Sequence, residues 1–154
     1  MTLPNQTLRT QLLARCHRVV DMQLCAAEEA IRGAQESANE ETKSSAGDKY
    51  ETGRAMAQLE IEKLRSQWAE ATKLKAALEQ LREPANEERA SRGSLVFTDQ
   101  GNYFLSIPAG KLEVDGVTWF AISPASPLGS ALMGTHIGET IAFQNKQIRV
   151  VALG

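Results

Sequence analysis

Between Pro4 and Pro84 the chain contains no proline, and only three glycines, Gly33, Gly47 and Gly53, fall in that stretch. Proline breaks a helix and glycine weakens one, so a stretch this free of both admits long helices. The apolar positions agree. Leu13, Cys16, Val20, Leu24, Ala27, Ile31, Ala34 and Ala38 follow one another in steps of three and four, the spacing of one helix face. A second stripe runs Ala57, Ile61, Leu64, Trp68 and Ala71, then Leu74 or Lys75, Leu78 and Leu81. Each helix has a single narrow seam, and a short polar segment joins the two. The pattern predicts an antiparallel helical hairpin over residues 1–83, whose seams are used up by each other rather than by a second chain. A monomer is therefore expected. Small residues (Ala34, Ala38, Gly53, Ala57) gather at one end of the stripes and bulky ones at the other. The hairpin should thus taper toward its tip. At ~50 Å for a helix of ~33 residues, it should project from the rest of the chain. Trp68 reads as part of its core.

Composition changes after Pro84. Residues 84–93, PANEERASRG, read as a solvated linker, and the other eight of the eleven glycines lie at Gly93 or beyond. Strand patterns cover Leu95–Thr98, Tyr103–Ile107, Lys111–Val114, Val117–Ile122, Thr140–Phe143 and Gln147–Leu153. Asp115-Gly116 is a strong hairpin turn, Asn145-Lys146 a weaker one. Pro127 to Met133 suits a short helix capped by Ser126. Trp119 and Phe120 alternate on one strand, so one should enter the core and the other face out. The fold class is α+β: a helical hairpin, then a small, mainly antiparallel domain over 94–154.

Several function classes drop out. With 17 basic and 19 acidic residues the net charge is −2, which gives no basic field for nucleic-acid phosphates. No apolar run approaches the ~18 residues of a membrane helix. The first residues carry no apolar signal region, so a cytoplasmic location is expected. Two cysteines, Cys16 and Cys25, are too few for a four-cysteine zinc site and read as free thiols. No HExxH, GxSxG or phosphate-loop pattern occurs, and His17 and His136 have no nucleophile or metal partner nearby in sequence.

The segment between the helices is the most unusual. Residues 36–51 hold five acids against Lys43 and Lys49. Within it, Asp48-x-x-Glu51 has the spacing of a capping box at a helix start. Carboxylates at the end of a thin arm also suit a hard cation such as magnesium, which takes oxygen ligands. The two readings are compatible.

The run Gly47-Asp48-Lys49-Tyr50-Glu51, followed by Glu60, resembles the tip of the Gre transcript-cleavage factors. Ala125-Ser126-Pro127-Leu128, Leu132-Met133-Gly134 and Ile137-Gly138-Glu139 are similar to that family's C-terminal pattern. The resemblance spans nearly the whole chain in the same order. It implies a C-terminal domain of FKBP-like fold that docks on the secondary-channel rim of bacterial RNA polymerase through Ser126, Pro127 and Leu128. It implies that the arm enters the channel, where Asp48 and Glu51 help hold the second catalytic Mg2+. That ion is supplied in the polymerase active site, and the isolated protein holds no cofactor. The protein would not itself be an enzyme. It would stimulate the polymerase's own hydrolysis of backtracked RNA, touching RNA only through the polymerase and no membrane. Thr52-Gly53 stands where Gre tips usually carry Asn-Ala. A channel-occupying regulator without cleavage activity is the alternative, and fold analogy adds an FKBP-like prolyl isomerase or chaperone.

Overall fold

The computed structural model describes residues 4–44, 48–84 and 88–154, and the side chains of residues 5–40, 52–84 and 88–154. Two α-helices, α1 (Pro4–Ser44) and α2 (Asp48–Gln80), are followed by strands β1 (Leu95–Thr98), β2 (Gly101–Leu105), β3 (Gly110–Val114) and β4 (Val117–Ile122). The short helix α3 (Pro127–Leu132) and strands β5 (Thr140–Phe143) and β6 (Lys146–Leu153) complete the chain. The protein is α+β, with two compact units: Val20–Lys75, and Met1–Val19 together with Ala76–Gly154.

In the first unit α1 and α2 pack antiparallel. Lys75 pairs with Asp21 at 3.2 Å, and the Trp68 indole N–H donates to Glu28 Oε1 at 3.1 Å. As numbers rise along one helix they fall along the other. Val20 and Ala27 on α1 and Leu64 and Ala71 on α2 are buried. Farther out, Ile31, Ala34, Ala38, Gly53, Ala57 and Ile61 are only half-buried. Burial thus falls toward the tip, in the direction of the expected taper. Trp68 departs from its expected place. It is 39% exposed, on the flank of the seam, with its polar edge held by Glu28.

The second unit holds a six-stranded sheet of order β3-β4-β2-β1-β6-β5. All pairs are antiparallel except β2 with β4. After β2 the chain forms the β3–β4 hairpin, and β4 lies beside β2 in the same direction. Asp115 (φ 52°) and Gly116 (φ 77°) make the two-residue turn with both residues left-handed, as Asp-Gly suits. In the β5–β6 hairpin the left-handed pair is Gln144 (φ 48°) and Asn145 (φ 65°), one residue earlier than Asn145-Lys146. Lys146 instead opens β6 opposite Phe143.

The register puts Leu95, Phe104, Trp119, Ala121, Leu112 and Val114 on one sheet face, all buried. The beginning of α1 covers it. Arg9 donates from Nε to the Gly93 carbonyl at 3.1 Å, and the Cys16 sulfur lies 3.9 Å from Ser106 Oγ. Leu12, rather than its neighbour Leu13, is the fully buried leucine there. This anchoring explains why Met1–Val19 clusters with the sheet and not with the remainder of the expected 1–83 hairpin. On the opposite face Val96, Leu105, Val150 and Leu153 pack with Leu132 of α3 and with Ala90.

Ala90 corrects the linker reading of 84–93. It is 2% exposed, its N–H donates to the Thr135 carbonyl, and its carbonyl accepts from Gly134. Gly93 is likewise fixed, donating to the Leu105 carbonyl at 2.7 Å with φ 93°. A polar composition hid one buried alanine that completes the sheet's second core. Residues 85–87 of the expected linker lie outside the described residues.

Candidate functional site

The arm's tip comes first, because the chain's acids concentrate there. α1 runs to Ser44 and α2 opens at Asp48, so three residues link two long helices. Asp48 and Glu51 both fall in the first turn of α2, where the helix dipole favours negative charge. Their side chains, with those of Glu41 and Lys43, lie outside the described residues, as does Gly47. Among the described residues no group of three His, Cys, Asp or Glu side chains forms a metal site. Behind the tip, Gln35, Asn39, Arg54 and Gln58 flank Ala38 and Ile61 in a polar hollow between the two helices.

The second expected site is the loop before α3. Ser126 is its N-cap: Oγ accepts from the Gly129 N–H at 3.0 Å and donates to the Ser123 carbonyl at 2.6 Å. Pro127 occupies the first turn, where a missing N–H costs nothing. The chain passes so close here that a Cβ on Gly129 would collide with the Ser123 carbonyl oxygen. The three expected contact residues therefore differ in placement. Pro127 is exposed, Ser126 is occupied by capping, and Leu128 is half-buried, packed against the Val96–Leu105–Leu132 core. Exposed apolar surface continues along the chain at Met133 (38% exposed) and Ile137 (58%). Sequence reading used these two only as pattern residues. Their signal was apolar side chains beside Gly134 and Gly138, both at positive φ, in a loop rather than a strand.

The cysteines do not belong to either place. Cys25 is exposed. Burial pushes the Cys16 thiol up to about 11, with the Ser106 hydroxyl pulling slightly the other way. A thiol held protonated is a poor nucleophile and a poor metal ligand. Trp119 and Phe120 divide as alternation requires: Trp119 is 1% exposed and Phe120 38%, the latter beside Tyr103 at 5.9 Å between ring centroids.

No protein-family model matches this chain, and no curated protein matches it. Its function has to be argued from its own residues.

Proposed function

We propose that this protein is a Gre-type factor that binds bacterial RNA polymerase, inserts its helical arm into the secondary channel and stimulates cleavage of backtracked RNA. The observation that carries the reading is the joint one: an antiparallel arm whose second helix opens at Asp48-x-x-Glu51, in one chain with a capped Ser126-Pro127 helix on a six-stranded sheet. In this reading the sheet unit has the FKBP-like fold and serves as the docking module. Pro127 offers an outward face, and Met133 and Ile137 add apolar area.

The chemistry follows from the arm's taper. A thin tip reaches a narrow catalytic centre that a folded domain would not enter. Asp48 and Glu51 bring two carboxylates to one helix turn. Mg2+ takes oxygen ligands and keeps several waters, so two carboxylates alone hold it weakly. Polymerase carboxylates and the RNA phosphate complete the shell, and a second metal stabilises the attacking and leaving oxygens of the displacement. The hydrolysis belongs to the polymerase, and this chain orients the ion. Such a partner places the protein in the cytoplasm.

The first test is binding. The full chain should co-elute with bacterial core polymerase, and Pro127→Ala with Met133→Ala, both at exposed positions, should weaken that binding while leaving the circular-dichroism spectrum unchanged. No association of the wild-type chain with the polymerase would end the proposal. Thr52-Gly53, where Gre tips usually carry Asn-Ala, favours one second reading: a channel-occupying regulator that binds likewise without promoting cleavage.

A further inference from the structure

We propose that the free edge of β5 joins two copies of this chain, antiparallel across a two-fold axis, into a weak dimer with one continuous sheet. This inference does not depend on the polymerase reading. The strand order β3-β4-β2-β1-β6-β5 leaves β3 and β5 as the two edges. Phe143 and Lys146 pair on either side of the turn, and the Val150 N–H donates to the Glu139 carbonyl at 2.9 Å. Hydrogen-bonded positions alternate along an antiparallel ladder, so Glu139, Ile141 and Phe143 bond inward to β6. The N–H and C=O groups of Thr140 and Ala142 point outward, and no strand among the described residues pairs with them.

The two edges differ in what guards them. On β3 the same alternation, counted from the Val114–Val117 pair, turns the backbone groups of Lys111 and Glu113 outward, and both residues are charged and exposed. Charged residues on an edge discourage strand addition. On β5 the outward residues are the small, uncharged and exposed Thr140 and Ala142, which alternate with the half-buried Ile141 and Phe143. Gln144 and Asn145 form the left-handed turn, so pairing is confined to residues 139–143. Within those residues one register pairs every outward group. Thr140 meets the partner's Ala142 and Ala142 meets the partner's Thr140, each pair exchanging both N–H···O bonds. The same register sets Ile141 against the partner's Ile141 and Glu139 against the partner's Phe143, so no like charges stand opposite each other. This self-complementarity, required of a two-fold contact, points to a second copy rather than a foreign strand. So short a contact makes a transient dimer.

The full chain should dimerise in sedimentation equilibrium with a dissociation constant of about 100 μM. Ala142→Pro removes an outward N–H at an edge position, where proline is tolerated. It should weaken the dimer at least about tenfold with the circular-dichroism spectrum unchanged. Glu113→Pro, the equivalent change on β3, should leave the dimer as it is. Cross-linking reads the register, in a Cys25→Ser background that removes the exposed native thiol. Ile141→Cys should join two chains under mild oxidation, because the two residues 141 face each other at ~4.5 Å between Cα atoms. Ala142→Cys should not, since its counterpart lies on the diagonal at ~7–8 Å. A chain that stays monomeric up to about 1 mM would overturn the proposal. So would a dimer weakened no more by Ala142→Pro than by Glu113→Pro, or cross-linking no faster through Ile141→Cys than through Ala142→Cys.

Discussion

The two units bury their residues in opposite ways. Among the described residues of Val20–Lys75 the buried apolar ones are Val20, Ala27, Leu64 and Ala71, two of them alanines. In the sheet unit Phe104, Trp119, Leu12, Leu95, Leu105, Leu132, Val96 and Val150 are all essentially inaccessible. Apolar burial contributes about 25 cal/mol per Å2, so stability resides in the sheet unit and falls along the arm. The difference teaches a division of labour. A thin arm cannot have a thick core, and its order depends on helix continuity and a few alanine-width contacts. The sheet unit has core to spare and can hold α3, its cap and its exposed apolar loop in fixed geometry.

The largest effects that could break this comparison lie in the sheet unit. Phe104→Ala should cost about 3–5 kcal/mol in chemical denaturation, since the ring is wholly buried. Gly129→Ala should cost about 1–3 kcal/mol, because its new Cβ meets the Ser123 carbonyl and must displace the α3 cap.

The buried thiol comes next. Burial raises the folded-state value of Cys16 from about 9 to about 11. Below pH 9 the thiol is protonated folded and unfolded, and its contribution is fully present. Between pH 9 and 11 the unfolded chain ionises while the folded chain does not, so stability is lost by roughly 2–3 kcal/mol from this group. Cys16→Ala should flatten that part of the stability–pH curve. In the native protein at neutral pH, Cys25 should react with a thiol reagent and Cys16 should not, and reaction of both at equal rates would contradict the anchoring of α1 on the sheet.

The arm gives smaller effects that sharpen the contrast. Leu64→Ala should cost about 2–3 kcal/mol, as buried leucine truncations do. Ile61→Ala, one turn nearer the tip and half-buried, should cost about 1 kcal/mol or less. Equal costs at the two positions would contradict the taper. Amide exchange should show the same order, with the arm's outer turns opening before β1, β2 and β6.

Local rules carried the sequence reading far. The stripes located both helices, Pro127 and Ser126 located α3, and Asp115-Gly116 located the β3–β4 turn, because each feature is decided within a few residues. What failed was decided at a distance. The parallel pairing of β2 with β4 depends on which strands become neighbours, and no short pattern encodes that. Ala90 sits in a polar run, yet it is hydrogen-bonded to Thr135 and Gly134, more than forty residues away, and packs against Leu132 and Val150. Trp68 continues its stripe at the right spacing and is still 39% exposed, its indole N–H bonded to Glu28 on the other helix, a partner forty residues away that spacing does not reveal. At the candidate site, the position of Asp48 and Glu51 at a helix start was legible from the capping spacing, as was the Ser126 cap. The inward packing of Leu128 was not, since helix periodicity over six residues does not say which side the sheet covers.

The measurement that tests the central claim most directly is RNA cleavage in a purified, backtracked bacterial elongation complex with Mg2+ present. The wild-type protein should shorten the RNA from its 3′ end at least about tenfold faster than the polymerase alone, as expected for a factor that completes a metal site. Asp48→Asn and Glu51→Gln should still bind the polymerase and lose that stimulation, although Asn caps a helix about as well as Asp. Full stimulation by both variants would reduce the two acids to a capping box, and no stimulation by the wild-type chain bound to the polymerase would contradict the cleavage mechanism itself.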